Sequence, residues 1–147
     1  MVCTFSQTHR LNCTYNKRDG QKVVQKGYIV GDITKDFDYS EFECPCCRKN
    51  QTTIGFIQKL QIARNFASIP FVINSGYRCK KHNKEVGGVI DSAHLKGLAA
   101  DIKTSSPIDR YNIVDALIRA GFLRIEICQT WTHCDFDGTK PHGIFLK

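Results

Sequence analysis

Apolar residues recur at helical spacing over Thr52–Ala67, where Phe56, Leu60, Ala63 and Ala67 form one stripe with Ile57 and Phe66 beside it. The pattern predicts an amphipathic helix, and Pro70 just beyond it is a stop signal. Phe71-Val72-Ile73-Asn74 follows as a short apolar strand leading into Ser75-Gly76-Tyr77-Arg78. A second helix begins at Ser105-Ser106-Pro107, with Ser106 as N-cap, Pro107 at the first helical position and Asp109 completing a capping box. Its expected apolar face is Ile108, Tyr111, Val114, Leu117 and Ile118, and Gly121 closes it. Phe122–Cys128 and Trp131–Phe136 predict two antiparallel strands, to which Gly143–Leu146 adds a third. Near the N-terminus, Lys17-Arg18-Asp19-Gly20 has the character of a hairpin turn between Leu11–Tyr15 and Val23–Val30. Residues 1–35 are therefore expected to form a hairpin or arm, and residues 36–147 the main domain. Asp36–Phe42 is an aromatic-bearing loop that leads into a cysteine cluster. Helices followed by a strand-rich half predict an α+β fold, with two helices packed on a small antiparallel sheet.

Composition narrows the setting. The 147 residues are one domain's worth of chain, and 41% hydrophobic with 24% charged residues is ordinary for a globular protein. No apolar run approaches the roughly 20 residues that span a bilayer, so no membrane insertion is expected. The first ten residues lack a basic and then apolar leader, which predicts synthesis in the cytosol without a signal peptide. The net charge of +7 favours polyanions such as nucleic acid, anionic lipid or wall phosphates, although the basic residues are spread out.

Candidate chemistry centres on Ser92-Ala93-His94-Leu95-Lys96-Gly97-Leu98-Ala99-Ala100-Asp101 and Trp131-Thr132-His133-Cys134-Asp135. Two imidazoles and a carboxylate at separated positions suit a catalytic zinc site, which keeps three protein ligands and an open fourth position, whereas structural zinc is closed by four. Residues 92–97 read as a tight turn or short helical start and Ala99–Lys103 as a strand that projects Asp101 towards His94. Period-two alternation puts residues 131, 133 and 135 on one face, so Asp135 stands beside His133. His9, His82 and His142 have no such context and are expected at the surface, His82 within reach of the pocket rim.

Eight cysteines are many for a cytosolic chain of this size. Cys44-Pro45-Cys46-Cys47 runs C-x-C-C rather than as the usual knuckle, with no matching second pair downstream. A second, cysteine-bound metal built from Cys44, Cys46 or Cys47 with Cys3, His9 or Cys13 is one reading. Free thiols, or disulfides formed in an oxidising space, are the simpler ones. Cys128 and Cys134 flank His133 and read as small buried side chains.

Ser75-Gly76-Tyr77-Arg78, Asn83, Val86-Gly87-Gly88, then Ser92-x-His94-x-x-Gly97-x-Ala99-x-Asp101 and His133-x-Asp135 together closely resemble the M15 peptidases. These are zinc D-alanyl-D-alanine carboxypeptidases and endopeptidases that act on peptidoglycan stem peptides. The likeness covers roughly residues 36–137, including Ser40-Glu41-Phe42 upstream. It implies one catalytic Zn2+ on His94, Asp101 and His133, a substrate carboxylate on Arg78, and a pocket lined by Asn83 and Ser92. A guanidinium suits that task because it bonds carboxylates bidentately. Trp131 would pack beside the site, where an aromatic wall suits a peptide. Several relatives carry a glutamate three residues, or a histidine two residues, before the last ligand, where this chain has Thr130 and Trp131. The general base then falls to Asp135, favoured by strand parity, or to Glu126 on the preceding strand. Asp135 reads equally as a partner that orients a ligand.

The implied partner is bacterial peptidoglycan, met by a monomer of the phage lysin type that acts after release from the cell or as part of a virion. Hedgehog signalling domains resemble this fold and keep a zinc site without established peptidase activity, so a non-catalytic wall-binding or phage structural module is the rival expectation. A nucleic-acid-binding zinc protein would need a closed Cys/His site beside a basic recognition element, and the cysteines do not pair at that spacing.

Overall fold

Five short strands form one sheet, and the order in which they pair decides where the functional side chains meet. The computed structural model describes residues 33–147, together with the backbone of β1 (Val24–Gln25) and β2 (Tyr28–Ile29). Those two strands pair antiparallel, Val24 opposite Ile29 and Gln25 opposite Tyr28, so the stretch expected as one strand over Val23–Val30 supplies two that pair with each other. The turn expected at 17–20 and its Leu11–Tyr15 flank lie outside the described residues.

The main sheet contains β3 (Ile73–Ser75), β4 (Ala99–Lys103), β5 (Arg124–Ile127), β6 (Trp131–Asp135) and β7 (Gly143–Leu146), in the order β3-β4-β6-β5-β7. The expected antiparallel sheet is in fact mixed, because β7 runs parallel to β5. The chain leaves β6, steps over β5 to its outer edge and runs opposite to β6, hence with β5. Among the described residues there are three α-helices rather than the expected two: α1 (Ile54–Ala67), α2 (Lys80–Glu85) and α3 (Pro107–Arg119). Among the described residues no helix is long and apolar enough to cross a membrane.

α1 starts behind Thr53, whose hydroxyl accepts the Phe56 N–H at 3.3 Å, and it buries Phe56, Ile57, Leu60 and Ala63. Phe66 instead stands at the surface, with the Arg119 guanidinium 4.4 Å from its ring centre. In α3 the Ser106 hydroxyl accepts the Asp109 N–H at 3.1 Å and Pro107 opens the helix, as expected. The buried face matches the expected one in part, at Leu117 and at Val114, which packs against the core. Ile113, Ala116 and Leu117 point inward, while Ile108, Tyr111 and Ile118 are 62%, 68% and 50% exposed. α1 and α3 pack on each other, and each contributes a fully buried alanine, Ala63 and Ala116, to the common core. Phe37 and Phe42, from the segment expected as a loop, are fully buried in the same core as Phe56, Leu60, Leu117 and Ile125. Gln61 ties that segment to α1, donating to the Asp36 carboxylate at 2.6 Å and accepting the Asp36 N–H at 3.0 Å.

Gly97 joins the His94 turn to β4. It holds a left-handed φ of +66°, and a Cβ there would lie 1.9 Å from the Gln51 carbonyl oxygen. The Gly97 carbonyl in turn accepts the Thr53 N–H at 3.0 Å, so the turn is docked against the start of α1. Gly97→Ala therefore meets a rigid backbone collision on top of left-handed strain, and is expected to cost about 2–4 kcal/mol. Urea titration checks this, and a variant within about 0.5 kcal/mol of wild type would mean that the close approach relaxes freely.

Candidate metal centre

His94 is delivered by a single 3-10 turn, Ala93–Lys96, capped by Ser92, whose hydroxyl accepts the His94 N–H at 3.3 Å. The ring is buried at 2% exposure, and its Nδ1 lies 2.6 Å from the Gly76 carbonyl oxygen. A carbonyl only accepts, so Nδ1 carries the proton and the Nε2 lone pair faces the site. Asp101 occupies the centre of β4 and His133 the centre of β6, directly opposite one another in the register. Glu126 of β5 stands opposite His133 on the other side. Asp101, His133 and Glu126 thus form one row across three neighbouring strands, on one face of the sheet.

Three donor atoms converge at the end of that row. His94 Nε2 lies 3.2 Å from Asp101 Oδ1 and 3.2 Å from His133 Nδ1, and His133 Nδ1 lies 2.9 Å from Asp101 Oδ1. Tetrahedral zinc with bonds of about 2.0–2.1 Å separates its ligand atoms by roughly 3.3 Å, so this triangle is one face of such a site. The other nitrogen of His133, Nε2, donates to Asp135 Oδ2 at 3.1 Å. That bond fixes the tautomer in which Nδ1 is free to ligate. Donor types, separations and tautomers all fit zinc.

Cations ring the carboxylates. Arg78 bonds the second oxygen of Asp101 through Nη2 and the Ser75 hydroxyl through Nε at 2.8 Å. Arg124 links two acids, reaching Glu126 through Nη2 and Asp135 Oδ2 through Nε at 3.2 Å. Lys147 contacts the other oxygen of Glu126 at 2.5 Å. Burial pushes the Asp101 carboxyl up, but its hydrogen bonds with His133 and His94 prevail and hold it far below the usual carboxylate range. Burial lowers both imidazoles. It prevails at His94, whereas at His133 the hydrogen bonds to Asp101 and Asp135 prevail and push the ring up to about 9. At Glu126 burial pushes up, and the Lys147 hydrogen bond with the neighbouring His133 and Arg124 charges brings the group below its ordinary value.

The other residues singled out from the sequence lie around this centre in different ways. Asp135 is 2% exposed and fully engaged, since its second oxygen accepts the Asp137 N–H at 3.1 Å. Trp131 opens β6 on the parity of His133 and is 38% exposed. Ser92 acts as the cap described above. Asn83 is 3% exposed in α2 and turns back on its own loop, donating to the Val89 carbonyl at 2.9 Å. His142 is exposed as expected, but the His82 side chain is only 20% exposed. Cys128 and Cys134 are buried, as expected. Arg124 and the Gly76 carbonyl are additions to the residues that the sequence singles out. Arg124 precedes Glu126 by two residues, so strand parity was the available signal for it, while a backbone carbonyl leaves none.

No curated protein matches the chain. The profile of one family, Peptidase M15, matches residues 35–135. That span runs from the segment carrying Phe37 to the last residue of β6, and it contains all three converging donors with Arg78, Glu126 and Asp135. On this match over more than two thirds of its length, the chain belongs to the Peptidase M15 family.

Proposed function

We propose that the protein is a zinc peptidase that hydrolyses peptide bonds in the stem peptides or cross-links of bacterial peptidoglycan. The observation that carries the reading is the row Asp101–His133–Glu126, which sets a metal triangle beside an ionised carboxylate on one sheet face. The wall substrate rests on the motif likeness to D-alanyl-D-alanine peptidases and on a net charge of +7, which suits anionic wall polymers. The protein acts as a monomer of the phage lysin type, on the wall after release or as part of a virion, with residues 1–35 as an arm beside the peptidase domain of 36–147.

His94, Asp101 and His133 would hold the ion. Bound there, zinc supplies Lewis acidity that polarises a carbonyl and acidifies water towards neutral pH. Glu126 is ionised at neutral pH and serves as general base, taking the proton of the attacking water and passing it to the leaving amine. Asp135 holds the His133 ring, and Arg124 holds Asp135 and Glu126 at a fixed separation. Arg78 steadies Asp101 with one arm, and its remaining N–H donors bind the substrate carboxylate. Trp131 forms the wall along which the peptide lies. Asn83 and Ser92 contribute by shaping the pocket rim and the His94 turn.

A second reading, a non-catalytic zinc-containing wall-binding or phage structural module with a Hedgehog-like fold, has one observation in its favour: both oxygens of Glu126 are engaged by cations. Digestion of purified peptidoglycan by the zinc-loaded protein, with mass spectrometry of the fragments, separates the two. New stem-peptide termini that disappear with chelator and return with zinc establish the peptidase and name its bond. Intact wall with zinc still bound establishes the module.

Zinc loading should also depend on pH in a defined direction. In the metal-free protein His133 binds a proton up to about pH 9, and that proton must leave before Nδ1 can ligate. Affinity at the histidine centre is therefore expected to rise about tenfold per pH unit between pH 6 and 8. Zinc titration followed through the imidazole proton resonances checks this, and a flat dependence would show that no proton is displaced.

A further inference from the structure

A second set of metal-type donors begins one residue beyond Arg78. The Sγ atoms of Cys44, Cys47 and Cys79 all lie within 4.8 Å of one another. The partners that the sequence suggests for the Cys44 cluster, Cys3, His9 and Cys13, lie outside the described residues. The structure brings Cys79 instead, and it selects from the C-x-C-C run the pair Cys44 and Cys47, which is itself a C-x₂-C knuckle spacing.

The backbone around the cluster is shaped for thiolates. The Cys79 N–H donates to Cys44 Sγ at 3.4 Å, and the His82 N–H donates to Cys79 Sγ at 3.4 Å. The 44–49 loop closes on itself, with Cys44 N–H donating to the Lys49 carbonyl at 2.9 Å and Arg48 in a left-handed φ of 57°. Its approach to the Cys79 segment is fixed by the Tyr77 N–H, which donates to the Phe42 carbonyl at 2.9 Å. A disulfide would use two of the three converging sulfurs and strand the third in the cluster. Tetrahedral zinc with Zn–S bonds near 2.3 Å needs sulfurs roughly 3.8 Å apart, a contraction of no more than about 1 Å from the positions here.

We propose that Cys44, Cys47 and Cys79 bind a structural zinc ion, closed by a fourth donor from Cys46 or His82. Both residues are close to Cys79, one through its thiol and the other through its backbone N–H. The Cys46 thiol contacts that of Cys79, and His82 follows Cys79 by three residues, one helical turn further along α2. The ion clamps the 44–49 loop to the segment that carries Arg78, and so steadies the guanidinium against Asp101. This site stands independently of the reaction at the histidine centre.

Metal content measured by plasma mass spectrometry, on protein purified with reductant and zinc, tests it. The wild type is expected to hold about two zinc ions, and His94→Ala about one. Cobalt loading of His94→Ala should then give thiolate-to-metal charge-transfer absorption that is missing from His94→Ala/Cys47→Ser. Because loss of a structural ion can unfold a chain, the deciding measurement is made on the His94→Ala protein with every cysteine intact. In that protein, bound metal with the thiolate band supports the site. No bound metal, or a disulfide among these cysteines under reductant, overturns it. Cys46→Ser and His82→Ala, each made separately, identify the closing ligand as the one whose loss weakens binding, and weakening by neither overturns the closed, four-ligand form of the site.

Discussion

Replacing His94 with alanine is expected to empty the histidine centre and bring peptide hydrolysis down to background while the fold persists. His94 Nε2 is one corner of a triangle whose other corners, Asp101 Oδ1 and His133 Nδ1, are only 2.9 Å apart. Two donors on adjacent strands cannot define a tetrahedral site, and the ion they hold loosely is lost to a chelator. Lewis acidity is worth several kcal/mol of transition-state charge, so kcat/KM should fall at least about a thousandfold. The fold survives because the ring, though buried, stands outside the apolar core cluster. The turn that carries it is held by the Ser92 hydroxyl and by the Gly97 carbonyl on Thr53, neither of which involves the imidazole. Metal analysis, circular dichroism and kcat/KM on one preparation check all three parts. A His94→Ala protein that keeps wild-type turnover would place the chemistry elsewhere in the molecule.

The parts of the fold legible in the sequence were those dictated locally. Ala99–Lys103 forms the strand expected of it, and Ser106-Pro107 starts α3, because cap and φ preferences act within a few residues. Strand parity also placed Asp135 beside His133 correctly, since alternation survives any tertiary arrangement. Tertiary choices were not legible. On α3 Leu117 is buried as expected, but Ile113 and Ala116 are buried where Ile108 and Tyr111 were expected, because a helix with apolar residues on more than one side offers two faces. α2 went unseen because Lys80–Glu85 is short, wholly polar and capped by a cysteine, the Cys79 Sγ accepting the His82 N–H. The parallel pairing of β7 depends on which edge of the sheet is open, and nothing within Gly143–Leu146 encodes that.

The candidate site divides in the same way. Candidate ligands follow from residue type and spacing, and the three named in this way, His94, Asp101 and His133, are the ones whose donor atoms converge. Pairing roles needed the register. Glu126 precedes His133 by seven residues, and only the β5–β6 hairpin sets the two side by side. The convergence of Cys79 on the Cys44 loop, 35 residues away in sequence, likewise follows from the backbone contact between Tyr77 and Phe42.

Glu126→Gln is expected to lower kcat by about 10²–10⁴-fold with zinc still bound, the range for loss of a positioned general base. The same change at Asp135 should behave differently. Asp135 touches the His133 ring, Arg124 and a backbone N–H, so Asp135→Asn removes an orienting bond, and such bonds are worth about 10–100-fold in metal affinity or activity. Raising the zinc concentration should restore most of the Asp135→Asn activity and none of the Glu126→Gln activity, because only the former acts through the metal. Lys147 supplies a control for the paired state of Glu126. Its side chain is 60% exposed and its hydrogen bond helps to lower the Glu126 pKa, so Lys147→Ala raises that pKa and moves the acid limb of kcat/KM to higher pH, leaving the plateau in place. Measured pH profiles of kcat/KM for the three variants check the assignment together. If Glu126→Gln kept the wild-type kcat while Asp135→Asn lost it irrecoverably, the base would be Asp135, and the row across the sheet would serve only to hold the metal.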